Sequence, residues 1–530
     1  MKTPFLALLI LGSVISTAQA QVTQEWVARY ASPTPYSDVA YAMTVGADGH
    51  VYVTGTTATS GADDWTTIKY NSAGVQEWLR PLDGGGNDAA AAITTDDAGN
   101  VYVTGSSAGA FYFMTAKYNA AGDKLWQQFF TTIGEGDAGV DIAVDHDGNV
   151  YVTGYNVETL TGLDIITIKY SPGGAEVWVR RFDSGNGEDV PAAIACDASG
   201  IYVTGRTNSG YTTIKYDFDG VQQWVRTYHG GFGSDAPAAL TLDSAGNVYV
   251  TGLSTGNGTN HDYATIKYDA AGTEQWVRRY DGPSTVPAND YDRAAALAVD
   301  GNGNVFVTGN SSDDFATVKY NAAGTELWVR RYNGPAAGAD WATAIAVDAS
   351  GNAYVTGSSY GNATTQYDFA TLSYDPSGTV RWTERYNGSA NFYDTPYSIA
   401  VHSSGAVYVT GSSGGSGTGL DYVTIKYAGV SASVEPGSAP RGVFALRSDP
   451  NPFTPATMIR FTIPPGTGRN HVRLAVYDVR GDEIALLVNE VLAPGTYERE
   501  LNGSTLATGV YWSRLQAGAL SETRKIVHVR

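Results

Sequence analysis

The sequence predicts an all-β chain in which an eight-bladed β-propeller precedes a small Ig-like β-sandwich. Three observations predict it. First, a block ending in VYVTG or a close variant recurs eight times, at Gly55, Gly105, Gly154, Gly205, Gly252, Gly309, Gly357 and Gly411, spaced 47 to 57 residues apart. Second, a tryptophan recurs in step, at Trp26, Trp78, Trp126, Trp178, Trp224, Trp276, Trp328 and Trp382, so eight of the 11 tryptophans belong to the repeat. Third, each unit holds four short alternating runs of β-branched and aromatic residues, which at this period is the signature of a four-stranded blade.

Taken in order, residues 1–20 read as a signal peptide: Lys2, an apolar run from Phe5 to Ile15, then Ala18-Gln19-Ala20 as a cleavage site. Residues 21–427 form the propeller. In its fifth unit the strand signals are Ala238–Leu242, Asn247–Thr251, Tyr263–Tyr268 and Gln275–Tyr280. Tight D-x-x-G-N and N/D-x-x-G turns separate the first strand from the second and the third from the fourth. There Asp or Asn accepts backbone N–H bonds and Gly takes the left-handed position. Longer loops alternate with these turns and fall on the opposite face. The first recognisable strand, around Trp26, is of fourth-strand type, and the last, Thr424–Tyr427, is of third-strand type. The N-terminal strand is therefore expected to complete the last blade and leave no open edge.

Residues 428–442, rich in Ser, Pro and Gly, read as a linker, and residues 443–530 as the sandwich, with strand signals at Met458–Ile463, Val472–Tyr477, Glu483–Val488, Thr496–Leu501, Val510–Leu515 and Arg524–Val529.

Composition narrows the function. Lys+Arg total 33 and Asp+Glu 53, a net charge of −20, which argues against nucleic acid and against an anionic membrane surface. One cysteine, Cys196, cannot form an internal disulfide. No stretch after the signal peptide is long and apolar enough to span a membrane. No nucleophile elbow, zinc or phosphate-loop motif occurs, and the seven histidines do not cluster.

The repeat VYVTG…D-x-x-TIKY-N-x-x-G-x-x-x-W resembles the SBBP-type β-propeller repeats of secreted bacterial proteins. It lacks the G-H…W-D pairs of WD40 repeats. Its Y-N-x-x-G-x-x-x-W segment faintly resembles the repeat of quinoprotein propellers, whose vicinal disulfide a single cysteine cannot supply. The C-terminal words Asp449-Pro450-Asn451-Pro452-Phe453, Val476–Gly481, Ala493–Tyr497, Leu506–Tyr511 and Lys525-Ile526-Val527 closely resemble the type A C-terminal sorting domain of the type IX secretion system. That resemblance carries the sorting motif onto Asn451, Pro452, Phe453, Gly481, Gly509, Tyr511 and Lys525. It implies the type IX machinery as a partner and release or anchoring outside a Gram-negative cell.

Two sets of carboxylates recur. One starts the innermost strand: Asp38, Asp88, Asp137, Asp189, Asp235, Asp292, Asp340 and Asp394. The other starts the third strand: Asp64, Asp164, Asp262, Asp314, Asp368 and Asp421, with Tyr112 and Gly210 in the remaining units. Both sets belong to the long-loop face, where they would form an acidic rim able to hold Ca²⁺. Perfect recurrence equally suits a structural joint. No other cofactor is expected. Asp145–Asn149 imitates the start of a calcium loop but reads as a hairpin turn. The lysines Lys69, Lys117, Lys169, Lys215, Lys267, Lys319 and Lys426, with Ser373 as the exception, read as outer-face residues, solvated or paired. Asymmetry is the better guide to a site. The irregular loops Val157–Asp164, Leu253–Asp262, Pro283–Asp292 and Ser358–Asp368 carry Asn260, His261, Tyr291, Tyr360, Gln366 and Tyr367, chemistry that suits carbohydrate or peptide. The expectation is a secreted or cell-surface monomer acting as a binding or scaffold propeller. The alternative is an extracellular propeller enzyme: a polysaccharide lyase, a glycosidase or a quinoprotein.

Overall fold

The structure is a computed structural model. It describes residues 22–429 and 445–529, apart from 34–35, 59–61, 108–111, 132–135, 159–161, 186, 209, 232, 257–259, 284–290, 337, 450–452, 455, 464–469, 494, 505 and 519. Residues 1–20, read above as a signal peptide, most of residues 428–442, read as a linker, and Asn451 and Pro452 lie outside the described residues. Two compact units divide the chain, Gln19–Ser431 and Ala432–Arg530. Every element is a β-strand, and among the described residues no helix is long and apolar enough to cross a membrane.

The first unit is eight four-stranded antiparallel sheets. Blades 1 to 7 span 39–82, 88–130, 138–182, 190–228, 235–280, 292–332 and 340–386, and each runs from its innermost to its outermost strand in chain order. Blade 8 takes three strands from 394–427, and its outermost strand is Gln24–Tyr30. That strand pairs antiparallel with Gly419–Tyr427, from Gln24↔Tyr427 to Tyr30↔Tyr422. The expected closure by the N-terminal strand is what the structure shows.

The glycine of VYVTG has a steric cause. The innermost strand carries a β-bulge in every blade, and the second strand passes close beside it. A Cβ on Gly105 would lie 2.0 Å from the carbonyl oxygen of Ala89, and one on Gly309 would lie 2.0 Å from that of Arg293. The tyrosine of the same motif is tied to the preceding turn. Tyr102 and Tyr249 donate their hydroxyls to Asp96 and Asp243, both at 2.8 Å, while those carboxylates also accept the turn's backbone N–H groups. Asp145–Asn149 is one of these hairpin turns, with the Asn149 N–H donating to Asp145 at 2.8 Å.

The lysine expectation holds for pairing, as Lys69 meets Glu77 at 2.9 Å and Lys426 meets Glu25 at 2.8 Å, but not for an outer-face position. Lys69, Lys117, Lys169, Lys215, Lys267 and Lys319 are buried, 3–9% exposed, between blades. Each donates to a turn carbonyl of the next blade, and that carbonyl also accepts the tryptophan indole: Lys117 Nζ at 3.2 Å and Trp126 Nε1 at 3.1 Å both donate to Pro172 O. Alternation along a strand says which blade face a side chain occupies, but in a propeller both faces are covered by neighbouring blades. The exception is now intelligible. Blade 8 has no turn after its third strand, because its fourth strand comes from the N-terminus. At that joint the lysine is replaced by Ser373, and the Trp382 indole, 1% exposed, has no hydrogen-bond partner among the described residues.

The described residues of the second unit form seven strands in two sheets. Ala445–Asp449, Ala456–Ile463 and Gly495–Asn502 form one; Glu483–Leu492, Asn470–Tyr477, Gly509–Ala517 and Leu520–His528 form the other. Ile459, Phe461 and Leu501 of the first sheet share one core with Leu474, Val476, Leu515 and Ile526 of the second. All six expected strands are present; Ala445–Asp449 is additional. The recurring A-x-G-x-Y word is a tyrosine hook: Tyr497 and Tyr511 donate to the carbonyls of Ala493 and Ala507, at 2.8 and 2.7 Å. Phe453 is buried against His528, with ring centroids 5.0 Å apart, and exchanges backbone bonds with Val527 and Val529. Gly481 takes a φ of 89° in its turn, Gly509 opens a strand, and Lys525 is exposed opposite Trp512.

Candidate binding face

The long-loop face is built on the eight aspartates, and they do not form an exposed rim. All are buried, 0–4% exposed. Those with described contacts tie the crossover from the preceding blade to their own blade. Asp394 accepts the N–H of Gly388 in the crossover at 2.6 Å and that of Gly414 in the second strand at 3.0 Å. Asp340 does the same with Gly334 at 2.6 Å and Tyr360 at 2.9 Å, and Asp38 with Ser32 at 2.6 Å and Ala58 at 3.0 Å. Asp88, Asp189 and Asp292 accept the crossover N–H of Gly84, Ser184 and Gly282, and Asp137 accepts the N–H of Val157 in its own blade's second strand. Asp235 accepts Gly230 N–H and meets His229 Nδ1 at 2.5 Å. Burial pushes the carboxyls of Asp38, Asp340 and Asp394 above the usual range, against the opposing pull of these N–H donors.

The second set is paired with arginine. Asp164, Asp262, Asp314, Asp368 and Asp421 meet Arg181, Arg279, Arg331, Arg385 and Arg29 at 2.5–3.0 Å. Arg279, Arg331, Arg385 and Arg29 also reach a tyrosine hydroxyl of the preceding blade, as Arg385 reaches Tyr332 at 3.1 Å. In blade 2 the pair becomes Tyr112 against Phe129, 5.9 Å apart. Blade 1 breaks the pattern differently: Asp64 is kept, but the arginine position is Pro81. Asp64, Asp83 and Asp88 bring carboxylate oxygens within 4.8 Å of one another, as do Asp164, Asp183 and Asp189. Burial, then Asp83 and Asp88, raise the Asp64 carboxyl.

Of the loop residues singled out by sequence, the structure brings together two groups. His261 and Tyr291 meet edge to face at 5.4 Å; Asn260 precedes them, half-buried. Burial, then Arg293, lowers the His261 pKa. Tyr360 and Tyr367 lie 5.4 Å apart, and Gln366 between them takes a φ of 58°. Two of the irregular loops prove to be strand extensions: Val150–Glu158 pairs out to Gly162–Tyr170, and Ala353–Asn362 to Gln366–Tyr374.

Around Tyr367 stands an aromatic ledge that loop length did not reveal. Trp341 stacks on Tyr367 at 4.9 Å and 17°, and Tyr367 stacks on Tyr393 at 5.6 Å and 16°. Phe392 meets Tyr393 edge-on at 4.9 Å. On the innermost strands, Tyr397 of blade 8 lies 5.5 Å from Tyr41 of blade 1. Of eight aromatic residues described in the propeller that are 36–52% exposed, six belong to this sector: Tyr36, Tyr41, Trp341, Phe392, Tyr393 and Tyr397. Phe129 and Tyr291 lie elsewhere. The signal that would have found them is residue type compared position by position around the ring.

One innermost strand hides a titratable outlier. Where other blades hold Ala42, Ala92, Ala193, Ala239, Ala296, Ala344 and Ser398, blade 3 holds Asp141, which accepts Ile194 N–H of the next blade at 2.9 Å. Burial pushes its carboxyl up to about 6. The folded state then binds more protons than the unfolded between pH 4 and 6, so stability falls as pH rises through that window. Asp141→Asn keeps an acceptor and removes the charge. Relative to the native chain it should gain about 1–2 kcal/mol between pH 4.5 and 7.5, read as a melting-point difference that grows with pH; a pH-independent difference would contradict the assignment.

Residues 450–529 match the family model of a secretion system C-terminal sorting domain, and residues 223–258, 275–316 and 327–362 match that of a beta-propeller repeat. The chain carries beta-propeller repeats and a type IX sorting domain. The sorting domain marks the protein as secreted or displayed at the cell surface and implies contact with the secretion machinery. No curated protein sequence matches the chain. Among solved structures, it is similar to PorZ, an essential bacterial surface component of the type IX secretion system of Porphyromonas gingivalis, at 14% identity over 92% of this chain and 74% of that one, with a TM-score of 0.31. It is also similar to Sqt1 from Chaetomium thermophilum (11%, 77% and 99%, TM-score 0.48) and to a Lactobacillus plantarum protein (15%, 76% and 99%, TM-score 0.40). At these identities and scores the likenesses bear on no functional question.

Proposed function

We propose that this exported propeller is a binding protein rather than an enzyme, and that its long-loop face at blades 7, 8 and 1 holds an extracellular partner. The observation that carries this reading is the gathering of exposed aromatic side chains in one sector of a ring that is otherwise pseudo-symmetric. Repeated features serve the fold; a feature confined to three blades serves something else. Calcium belongs to this reading only at Asp64, Asp83 and Asp88, where Pro81 leaves Asp64 without the arginine that pairs with its counterparts in other blades. The same triad is where the enzyme alternative would place its acid and base.

An array of extracellular polysaccharides and proteins (collagen, fibronectin, mucin) probed with the full chain tests the proposal. At least one array member should be retained, tenfold more weakly by Trp341→Ala or Tyr393→Ala and equally well by Phe129→Ala. Retention that ignores the ledge variants refutes the binding face. Conversion of a retained polymer, abolished by Asp64→Asn, would install the enzyme instead.

A further inference from the structure

Resting on that reading, we propose that the ligand is a neutral polysaccharide chain, laid along an aromatic track from the rim at Trp341, Tyr367 and Tyr393 down the innermost strand of blade 8 to Tyr397 and Tyr41.

The track is continuous in the backbone. Tyr393 directly precedes the strand Asp394–Val401, and Tyr397 lies on it. Three residues of bulged strand lie between the two, which sets them about 10–13 Å apart, a reach that suits an extended chain rather than one small molecule. Tyr397 sits at the bulge, between Pro396 and Ser398, and Tyr41 sits at the equivalent bulge of blade 1. At that position the other six blades hold Ala91, Val140, Ala192, Ala238, Ala295 and Thr343. The Trp341 position elsewhere holds Val39, Ala89, Ala138, Val190, Ala236, Arg293 and Thr395. These are changes of residue type on an unchanged frame, so drift in loop length does not account for them.

The frame is also strained where the ledge is set. Gln366 and Asn391, which directly precede Tyr367 and Phe392, take left-handed φ values of 58° and 50°. Such non-glycine conformations cost energy and persist where surrounding structure holds them. Phe392 lies over Gly414, where a Cβ would come within 2.8 Å of its own.

Charge decides the ligand class. The carboxylates beneath the ledge are already engaged, Asp368 by Arg385 and Asp394 by backbone N–H groups. Gln366, Asn387, Asn391 and Thr395 supply uncharged polar groups, with Asn387 donating to Asn391 at 2.7 Å, and charges that act on the rings, Asp313 on Tyr367 and Asp63 on Tyr41, are negative and disfavour an anionic ligand. Burial raises the hydroxyl pKa of Tyr367 and Tyr41, so both stay protonated and able to donate at neutral pH. A net charge of −20 repels an anionic polymer. Flat apolar faces beside neutral donors and acceptors, with no cation described among them, match the C–H faces and hydroxyls of uncharged sugar rings.

The test is affinity electrophoresis of the full chain in gels holding mixed-linkage β-glucan, xyloglucan or galactomannan, with alginate and heparin as anionic comparators and the protein array run in parallel. At least one neutral polymer should retard the protein. Trp341→Ala and Tyr393→Ala should weaken retardation at least tenfold, and Tyr393→Phe should retain most of it. Tyr41→Ala, at the far end of the track, should abolish the preference for long over short oligosaccharides while leaving short ones bound. It also serves where a rim variant fails to fold. Ledge-dependent retention confined to the proteins, or to alginate or heparin, overturns the neutral-polysaccharide inference and leaves the binding face standing. No ledge dependence on any probe overturns both.

Discussion

A chain that begins at Ser32 should lose the propeller. Its outermost strand in blade 8, Gln24–Tyr30, would be gone, and Gly419–Tyr427 would become an open edge. Arg29 would no longer meet Asp421 at 2.8 Å, nor reach Tyr386 and Ser413. Asp421, whose side chain is 6% exposed, would be left a buried carboxylate without its cation, which alone costs about 3–5 kcal/mol. Trp26 would no longer staple blade 8 to Ser72 of blade 1. Few single domains have more than about 5–15 kcal/mol to lose. The expected result is a collapse of soluble yield, or an apparent melting point lowered by more than 10 °C, with partial recovery when a peptide of residues 21–31 is added. A truncated chain that melts like the native one would show that closure contributes little and that the other seven joints hold the ring.

That joint also shows how far the sequence could be read. Complementary strand types at the two ends foretold the closure, because a propeller must satisfy its last edge. The VYVTG glycine was visible as a recurrence, but its cause, a carbonyl 2.0 Å from any added Cβ, belongs to the bulged neighbour strand and has no local signature. The burial of the lysines was not legible because period-two alternation distinguishes two faces and not inside from outside when blades cover both. The aspartates were placed at the correct strand starts. Their burial was not legible, since it depends on crossovers folding back over them. For the candidate site, Tyr360 and Tyr367 were found through the length of their hairpin. Trp341, Tyr393 and Tyr397 were missed because they sit in segments of ordinary length, where only comparison across the eight units separates an exposed tryptophan from the small residues that replace it.

The aspartate ring offers the second large effect and separates joint from metal site. Asp394 is fully buried and accepts two backbone N–H groups from two different segments. Asp394→Ala leaves both donors buried without an acceptor, at about 1–3 kcal/mol each. Asp394→Asn can satisfy one of them and should cost about half as much. For a joint, the loss of midpoint in Asp394→Ala is the same in excess Ca²⁺ and in EDTA, because the carboxylate's partners are peptide groups. For a cation site, the native midpoint rises saturably with Ca²⁺ by mass action and the variant's does not. Asp83→Asn is the matching probe of the triad with Asp64 and Asp88, where three carboxylates crowd within 4.8 Å. A Ca²⁺-dependent rise that survives Asp394→Ala and disappears in Asp83→Asn would place the ion at the blade 1 triad, which takes one member, Asp88, from the ring. A rise that disappears in Asp394→Ala would return the ring itself to metal binding, and the backbone bonds of Asp394 would then be only part of what it does.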